Sequence, residues 1–229
     1  MSQLALPLSL QDHAVFESFW AVGNEGLLSY LAALADTRAG PGCWISGARS
    51  TGKTHLLQAI CNRLGDDAVF LPIDQFMDHG PEILDDIATR LCVCLDNVDS
   101  IAANDDWELA LFALWNQIAD RDGLLVVTAS SAPRDCGFLL PDLQSRLTRL
   151  PVFLVEPLDE ENRIRALQLR ASHRGLEMPD DTARFLLNRS RRDMESLYQL
   201  LDRLDAEALK AQRRLTIPFV RNVLLDAGA

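Results

Sequence analysis

The sequence predicts an α/β fold: a parallel five-stranded sheet flanked by helices, followed by a small all-helical domain. Three observations predict it. Short apolar runs alternate with helical segments from Cys43 to about Pro157, as in repeated strand–helix–strand units. One of these runs leads straight into a glycine-rich turn and then a helix. Beyond Pro157 the apolar spacing is helical throughout.

Taken in order, "FESFW" and the helically spaced "GLLSYLAALA" open the body, and "RAGPG" is a turn. "CWIS" (Cys43–Ser46) is the first strand, and "HLLQAICNRL" is a helix ending near Gly65. "AVFLPI" is the second strand, and "EILDDIATR" reads as a short amphipathic helix. "LCVCLD" (Leu91–Asp96) is apolar without alternation, as a central strand covered on both faces requires. "DWELALFALWNQIADR" is a long helix closed by Gly123, "LLVVTAS" is the fourth strand, and "PVFLVEPL" contains the fifth. Four helical segments follow. Asp159, Asp180 and Asp193 are candidate caps, and Pro218 sits early in the last helix.

Composition narrows the function. At 229 residues, 48% hydrophobic and 24% charged, the chain can build a real core. A formal net charge of −11 argues against a dominant phosphate-neutralising surface, and so against strong direct DNA binding. No stretch reaches the roughly 18–20 apolar residues of a membrane span, and the N-terminus lacks the features of a signal peptide. The five cysteines (Cys43, Cys61, Cys92, Cys94, Cys136) form no CxxC pair and read as reduced thiols of a cytoplasmic protein. The four histidines (His13, His55, His79, His173) have no zinc-ligand spacing.

The strongest chemical signal is "GARSTGKT", Gly47 to Thr54, which matches the phosphate-binding pattern G-x-x-x-x-G-K-[ST] between a strand and a helix. Gly47 and Gly52 permit the tight backbone that lets successive N–H groups surround phosphate oxygens. The helix beginning near Lys53 adds its positive end. Lys53 would face the β- and γ-phosphates, and Thr54 would coordinate Mg²⁺. Asp96, at the end of "LCVCLD", is placed to hold the same ion across from Thr54. The residue after it, where many such ATPases carry a second acid, is Asn97, whose neutral amide cannot act as a general base. Asp99 is two positions further on, with no clear aim into the site. Nucleotide binding with little hydrolysis by this chain alone is the expectation.

Several segments carry a family resemblance. "GKTHLLQAICNRL", "FESFWAVGNEGLLSYL" and "LPDLQSRL" resemble the phosphate-loop helix, the stretch before it and the arginine-finger segment of the replication initiator DnaA and its relatives. The resemblance runs from about His13 to the end of the helical region and implies an AAA+ P-loop ATPase fold with a helical lid. It divides the chain into a flexible peptide (1–12), a nucleotide-binding domain (13–157) and a lid domain (158–229). It implies an ADP or ATP cofactor with Mg²⁺, held by Gly47, Ser50, Thr51, Gly52, Lys53, Thr54 and His55, with adenine near Val22, Gly23 and Asn24. DnaA proteins continue into a helix-turn-helix DNA-binding domain, whereas this sequence ends at "IPFVRNVLLDAGA", and only about a dozen residues precede the ATPase. Together with "LDRLDAEALKAQRRLTIPFV", this makes the chain similar to the regulatory branch of the family, which inactivates DnaA.

The opening "QLALPL" is similar to the hexapeptide with which replication proteins bind the β sliding clamp of DNA polymerase III. Gln3, Leu4, Leu6, Pro7 and Leu8 are the implied contacts, with Leu6 and Leu8 entering an apolar pocket and Pro7 limiting the unbound conformations. Packing of this segment on its own domain is the plainer alternative.

The resemblance has gaps. Ser130 falls where DnaA relatives carry an acidic γ-phosphate sensor, and Glu195 falls where the lid carries a sensor arginine. Arg191 or Arg192 could replace that charge. Arg146 of "LPDLQSRL" occupies the arginine-finger position, with Arg149 a weaker candidate; a surface ion pair with Asp142 is the alternative. The expected function is regulatory: with DNA-loaded clamp, the chain promotes hydrolysis of ATP on DnaA and so represses re-initiation of DNA replication. The alternative is an ATPase in its own right, such as a DnaA- or DnaC-like helicase loader. A homodimer is left open, and no membrane partner is expected.

Overall fold

A computed structural model of the chain describes residues 14–189, 193–211 and 214–226. It divides into two compact units. Among the described residues, one comprises 14–16, Gly23–Arg49 and Lys53–Glu156, the other Glu17–Val22, Ser50–Gly52 and those from Pro157 onward.

The first unit is built on a five-stranded, wholly parallel sheet: β1 (Gly42–Ser46), β2 (Ala68–Pro72), β3 (Cys92–Asp96), β4 (Leu124–Ala129) and β5 (Val152–Leu154). Their order across the sheet is β2-β3-β4-β1-β5. The three central strands β3, β4 and β1 are buried at every position, which is why their sequences are apolar without alternation. β5 is an edge strand, with Val152 and Leu154 exposed and Phe153 packed on Tyr30 at a ring separation of 5.0 Å. β1 and β4 approach so closely at Gly42 that an added Cβ would lie 1.9 Å from the Leu125 carbonyl oxygen, so this position admits only glycine.

Helices cover both faces of the sheet. α1 (Glu25–Thr37) packs on α2 (Lys53–Leu64), and α2 lies against β2, β3 and β4. α3 (Asp105–Ala119) and α4 (Pro141–Leu147) cover the opposite face, where Trp107, Leu111, Leu143 and Leu147 join Trp44, Val93, Leu95, Leu125 and Val127 in one core. Each such buried side chain is worth about 1.5–3 kcal/mol. Asn104 caps α3 by accepting from Trp107 N, and Pro141 starts α4, where its missing N–H costs nothing. Cys43, Cys61, Cys92 and Cys94 are free and buried in this unit, and burial pushes the Cys43 and Cys94 thiols up, so they behave as small apolar residues.

One segment differs from the sequence expectation. "EILDDIATR" is not one helix but two 3₁₀ turns, Pro81–Leu84 and Ile87–Thr89. The helical spacing of Leu84, Ile87 and Ala88 is real, since all three are buried. A stretch this short, however, gains too few hydrogen bonds to offset helix nucleation. "FESFW" supplies a single 3₁₀ turn, Phe16–Ser18.

The second unit holds α5 (Glu160–His173), α6 (Asp180–Arg189), α7 (Met194–Ala211) and α8 (Ile217–Asp226). Ile164, Leu167, Leu186, Leu197, Leu201, Leu204 and Val220 form its core, with Trp20 packed against it and bonded through Nε1 to Asn162. Asp159 and Asp193 cap α5 and α7, accepting from Asn162 N and Ser196 N at 2.8 Å each. Asp180 is not a cap: it is the first residue of α6, and its carboxylate instead accepts from Gln168 and Arg165. Pro218 is the second residue of α8. The expected clamp peptide and the Arg191–Arg192 pair lie outside the described residues.

Candidate phosphate-binding site

The glycine-rich turn between β1 and α2 is formed as its sequence requires. Ser50 and Gly52 take left-handed conformations, with φ of 61° and 98°, and a Cβ at Gly52 would lie 2.8 Å from the Phe19 ring. α2 begins at Lys53, so the positive end of the helix follows directly on this turn. Lys53 is buried, and its ammonium donates to the carbonyls of Gly47 and Ala48 at 2.7 and 2.9 Å. Burial lowers the Lys53 pKa, and the negative charges of Asp96 and Asp99 oppose that shift.

Asp96 stands at the centre of a hydrogen-bonded group. Thr54 Oγ1 donates to its Oδ2 at 2.6 Å, and Thr128 Oγ1 donates to its Oδ1. Burial raises the Asp96 pKa, while the bonds from Thr128 and Thr54 pull it back down. Thr128 in turn accepts from Asn97 N at 3.0 Å. The hydroxyl and carboxylate oxygens of Thr54 and Asp96 are hard donors of the kind Mg²⁺ prefers. That ion is normally held by one or two protein groups together with water and phosphate oxygens, so the pair fits it. Among the described residues no group of three or more His, Cys, Asp or Glu is arranged to hold a metal ion.

The structure places the remaining sequence candidates as follows. Asn97 takes a left-handed conformation (φ 55°) and directs its side-chain amide to Asp74 at 3.1 Å. Ser130, at the exposed end of β4, donates its N–H to Asp99 Oδ2 at 3.0 Å and its hydroxyl to the same oxygen. Asp99, whose direction is not legible in the sequence, is thereby brought into the group of polar residues beyond β3 and β4. Asp74 and Thr128 were missed altogether. A signal existed for Thr128, the one hydroxyl within β4; Asp74 had none beyond following β2.

Asn24 is buried and accepts from Glu156 N at 3.0 Å through Oδ1, while Val22 and Gly23 are exposed. The His55 ring and Val15 O lie 2.9 Å apart, and Asn62 donates to Ala14 O at 2.7 Å, which fastens residues 14–15 to α2. Within the second unit Ser50 Oγ donates to Glu195 Oε2 at 3.3 Å, Thr51 is half-buried, and Glu195 is exposed in the first turn of α7. Arg146 lies in α4, remote in sequence from the turn and half-buried. Among the described residues its guanidinium has neither an ion pair nor a hydrogen bond, so the alternative pairing with Asp142 does not form. Arg149 is exposed just beyond the same helix.

Residues 159–224 match the family model described as "Hda, lid domain". The fold is similar to domain III of the replication initiation protein DnaA from Thermotoga maritima, with a TM-score of 0.76 at 20% identity over 96% of this chain and 98% of that one. It is similar also to AMPPCP-bound DnaA from Aquifex aeolicus, with a TM-score of 0.68 at 19% identity over 89% and 69% of the two chains. A RuvB mutant from Thermotoga maritima matches with a TM-score of 0.61 at 18% identity over 87% and 67%. At these identities the structural likeness speaks for the fold, and the lid match for the kind of relative. The chain has the fold of DnaA domain III, and its helical region, residues 159–224, matches the Hda lid domain.

Proposed function

We propose that the chain is a regulatory adenine-nucleotide-binding protein that acts on a partner ATPase. In this reading it holds ADP in the Gly47–Thr54 turn, with adenine near Val22, Gly23 and Asn24. Together with the sliding clamp loaded on DNA, it promotes hydrolysis of ATP bound to DnaA and so represses re-initiation. Mg²⁺, held by Thr54 and Asp96, would neutralise phosphate charge.

The observation that carries the reading is the contrast between the phosphate site and Arg146. The site has its cradle, its lysine and its Thr54–Asp96 pair, but the residue after Asp96 is an amide turned toward Asp74. A neutral amide cannot take a proton from an attacking water. Arg146, by contrast, is a guanidinium on a short helix with no partner of its own among the described residues. Inserted into a neighbouring molecule's site, such a group stabilises charge on the transferred phosphoryl group and raises its rate by about 10³–10⁵. The lid match supports the regulatory branch over a helicase loader.

The test is to mix the protein with ATP-loaded DnaA, with and without clamp on DNA, and follow nucleotide turnover. Stimulation that requires both this chain and the loaded clamp is the expected result. Robust turnover by the isolated chain with no effect on DnaA would favour the alternative ATPase.

A further inference from the structure

We propose that Asp99, held by Ser130, is the residue that makes the phosphate site prefer a nucleoside diphosphate over a triphosphate. The inference rests on the nucleotide-binding reading above and names the group that sets its selectivity.

The geometry begins with the chain order. Asp96 ends β3, and the 3₁₀ turn Val98–Ile101 folds the chain back directly after Asn97. That turn brings the Asp99 carboxylate to the end of β4, where the N–H and the hydroxyl of Ser130 both donate to Oδ2. Thr128, two residues earlier on β4, donates to Asp96. Thr128 and Ser130, two residues apart at the end of β4, thus each hold one carboxylate in place. The fixed position of the carboxylates matters because charge on a free surface aspartate would be diluted by motion and solvent. The field of both carboxylates reaches Lys53, the cation that a P-loop directs at the β- and γ-phosphates.

The balance of charge follows. Lys53 contributes one positive charge, and Asp96 and Asp99 each contribute a negative one. Asp96 can be neutralised by a bound divalent cation shared with Thr54. Asp99 bonds instead to Ser130, away from that pair, and its charge persists. Ser130 cannot compensate, since its N–H and hydroxyl are both already committed to Asp99. A third phosphate entering beyond Lys53 toward the ends of β3 and β4 would meet this charge, whereas the first two would lie back toward the start of α2. At an effective dielectric of about 40, between that of a protein surface and that of water, one such repulsion at about 6–8 Å amounts to about a five- to tenfold change in affinity.

The experiment titrates the full-length, nucleotide-free protein with ADP and with AMPPCP by calorimetry, in EDTA and again with Mg²⁺. The parent should bind ADP more tightly than AMPPCP in EDTA. Asp99→Asn keeps an acceptor for Ser130 but removes the charge. It should tighten AMPPCP binding by about five- to tenfold in EDTA while leaving ADP within about twofold, and the gain should shrink when Mg²⁺ is added. Asp99→Ser tests the same prediction with a different side chain should the first variant fold poorly. Variants that shift both ligands equally, or neither, would overturn the assignment of Asp99 while leaving the nucleotide site intact. A parent that bound neither ligand would overturn the nucleotide-site reading itself, and this inference with it.

Discussion

Asn97 donates its side-chain amide to Asp74 across 3.1 Å, tying the end of β3 to the segment that follows β2. An uncharged donor is what that position needs, because its neighbour is already an acid. Asn97→Asp would set two carboxylates face to face. The variant should lose about 1 kcal/mol of stability at pH 7 and regain it near pH 4, where one of the pair takes up a proton. Urea denaturation at the two pH values measures this. An unchanged midpoint at pH 7 would show that the Asn97–Asp74 bond contributes nothing to the fold.

Asp96 gives a second pH-dependent prediction. Its pKa is raised by burial, against the pull of the bonds from Thr128 and Thr54. An acid with a raised folded-state pKa binds its proton more readily when folded. It therefore costs stability as pH rises from its unfolded value, about 3.9, through the folded one. Asp96→Asn removes that cost. The melting temperature of the variant relative to the parent should rise between pH 4 and pH 7, while Mg²⁺-dependent nucleotide binding is lost. A difference that stays constant over this range would contradict the account of Asp96.

Lys53 is predicted to be a binding residue maintained against its own burial. Lys53→Ala should weaken ADP binding by about tenfold or more, the scale of a lost charge-assisted bond, and leave the protein folded. Calorimetry showing unchanged ADP affinity would remove the Gly47–Thr54 turn from the site.

Most of the fold was legible in the sequence because its signals are local. The apolar runs of β1, β3 and β4, the turn chemistry of residues 47–54 and the caps Asp159 and Asp193 depend on neighbours close in the chain. What was not legible depends on distant ones. Asp99 and Ser130 are 31 residues apart, and nothing in either segment alone announces their bond. Glu108 reads as one polar position on an amphipathic helix, yet it is buried and accepts from the N–H groups of Ala103, Leu139 and Leu140, fixing the connection that leads into α4. Asp180 was legible as a helix start, but its carboxylate was captured by Gln168 and Arg165 of the preceding helix. The split of "EILDDIATR" into two turns likewise reflects a helical pattern too short to sustain a helix.

The N-terminal peptide carries its own prediction. Replacing Leu6 and Leu8 by alanine should abolish binding to immobilised clamp while leaving ADP affinity unchanged, because the two contacts belong to different segments. Retained clamp binding would show that the "QLALPL" segment is not the clamp ligand.

The central claim is that Arg146 acts on a neighbour's nucleotide, and single-turnover hydrolysis of labelled ATP pre-bound to DnaA tests it most directly. The reaction would contain excess regulator and DNA-loaded clamp. Arg146→Ala should bind nucleotide and clamp like the parent, yet the stimulated rate should fall by about 10³-fold, because the guanidinium meets charge that develops only in the transition state. Arg146→Lys should restore little of it, since an ammonium lacks the planar fork that reaches two phosphate oxygens. An Arg146→Ala protein that stimulated hydrolysis as well as the parent would contradict the account.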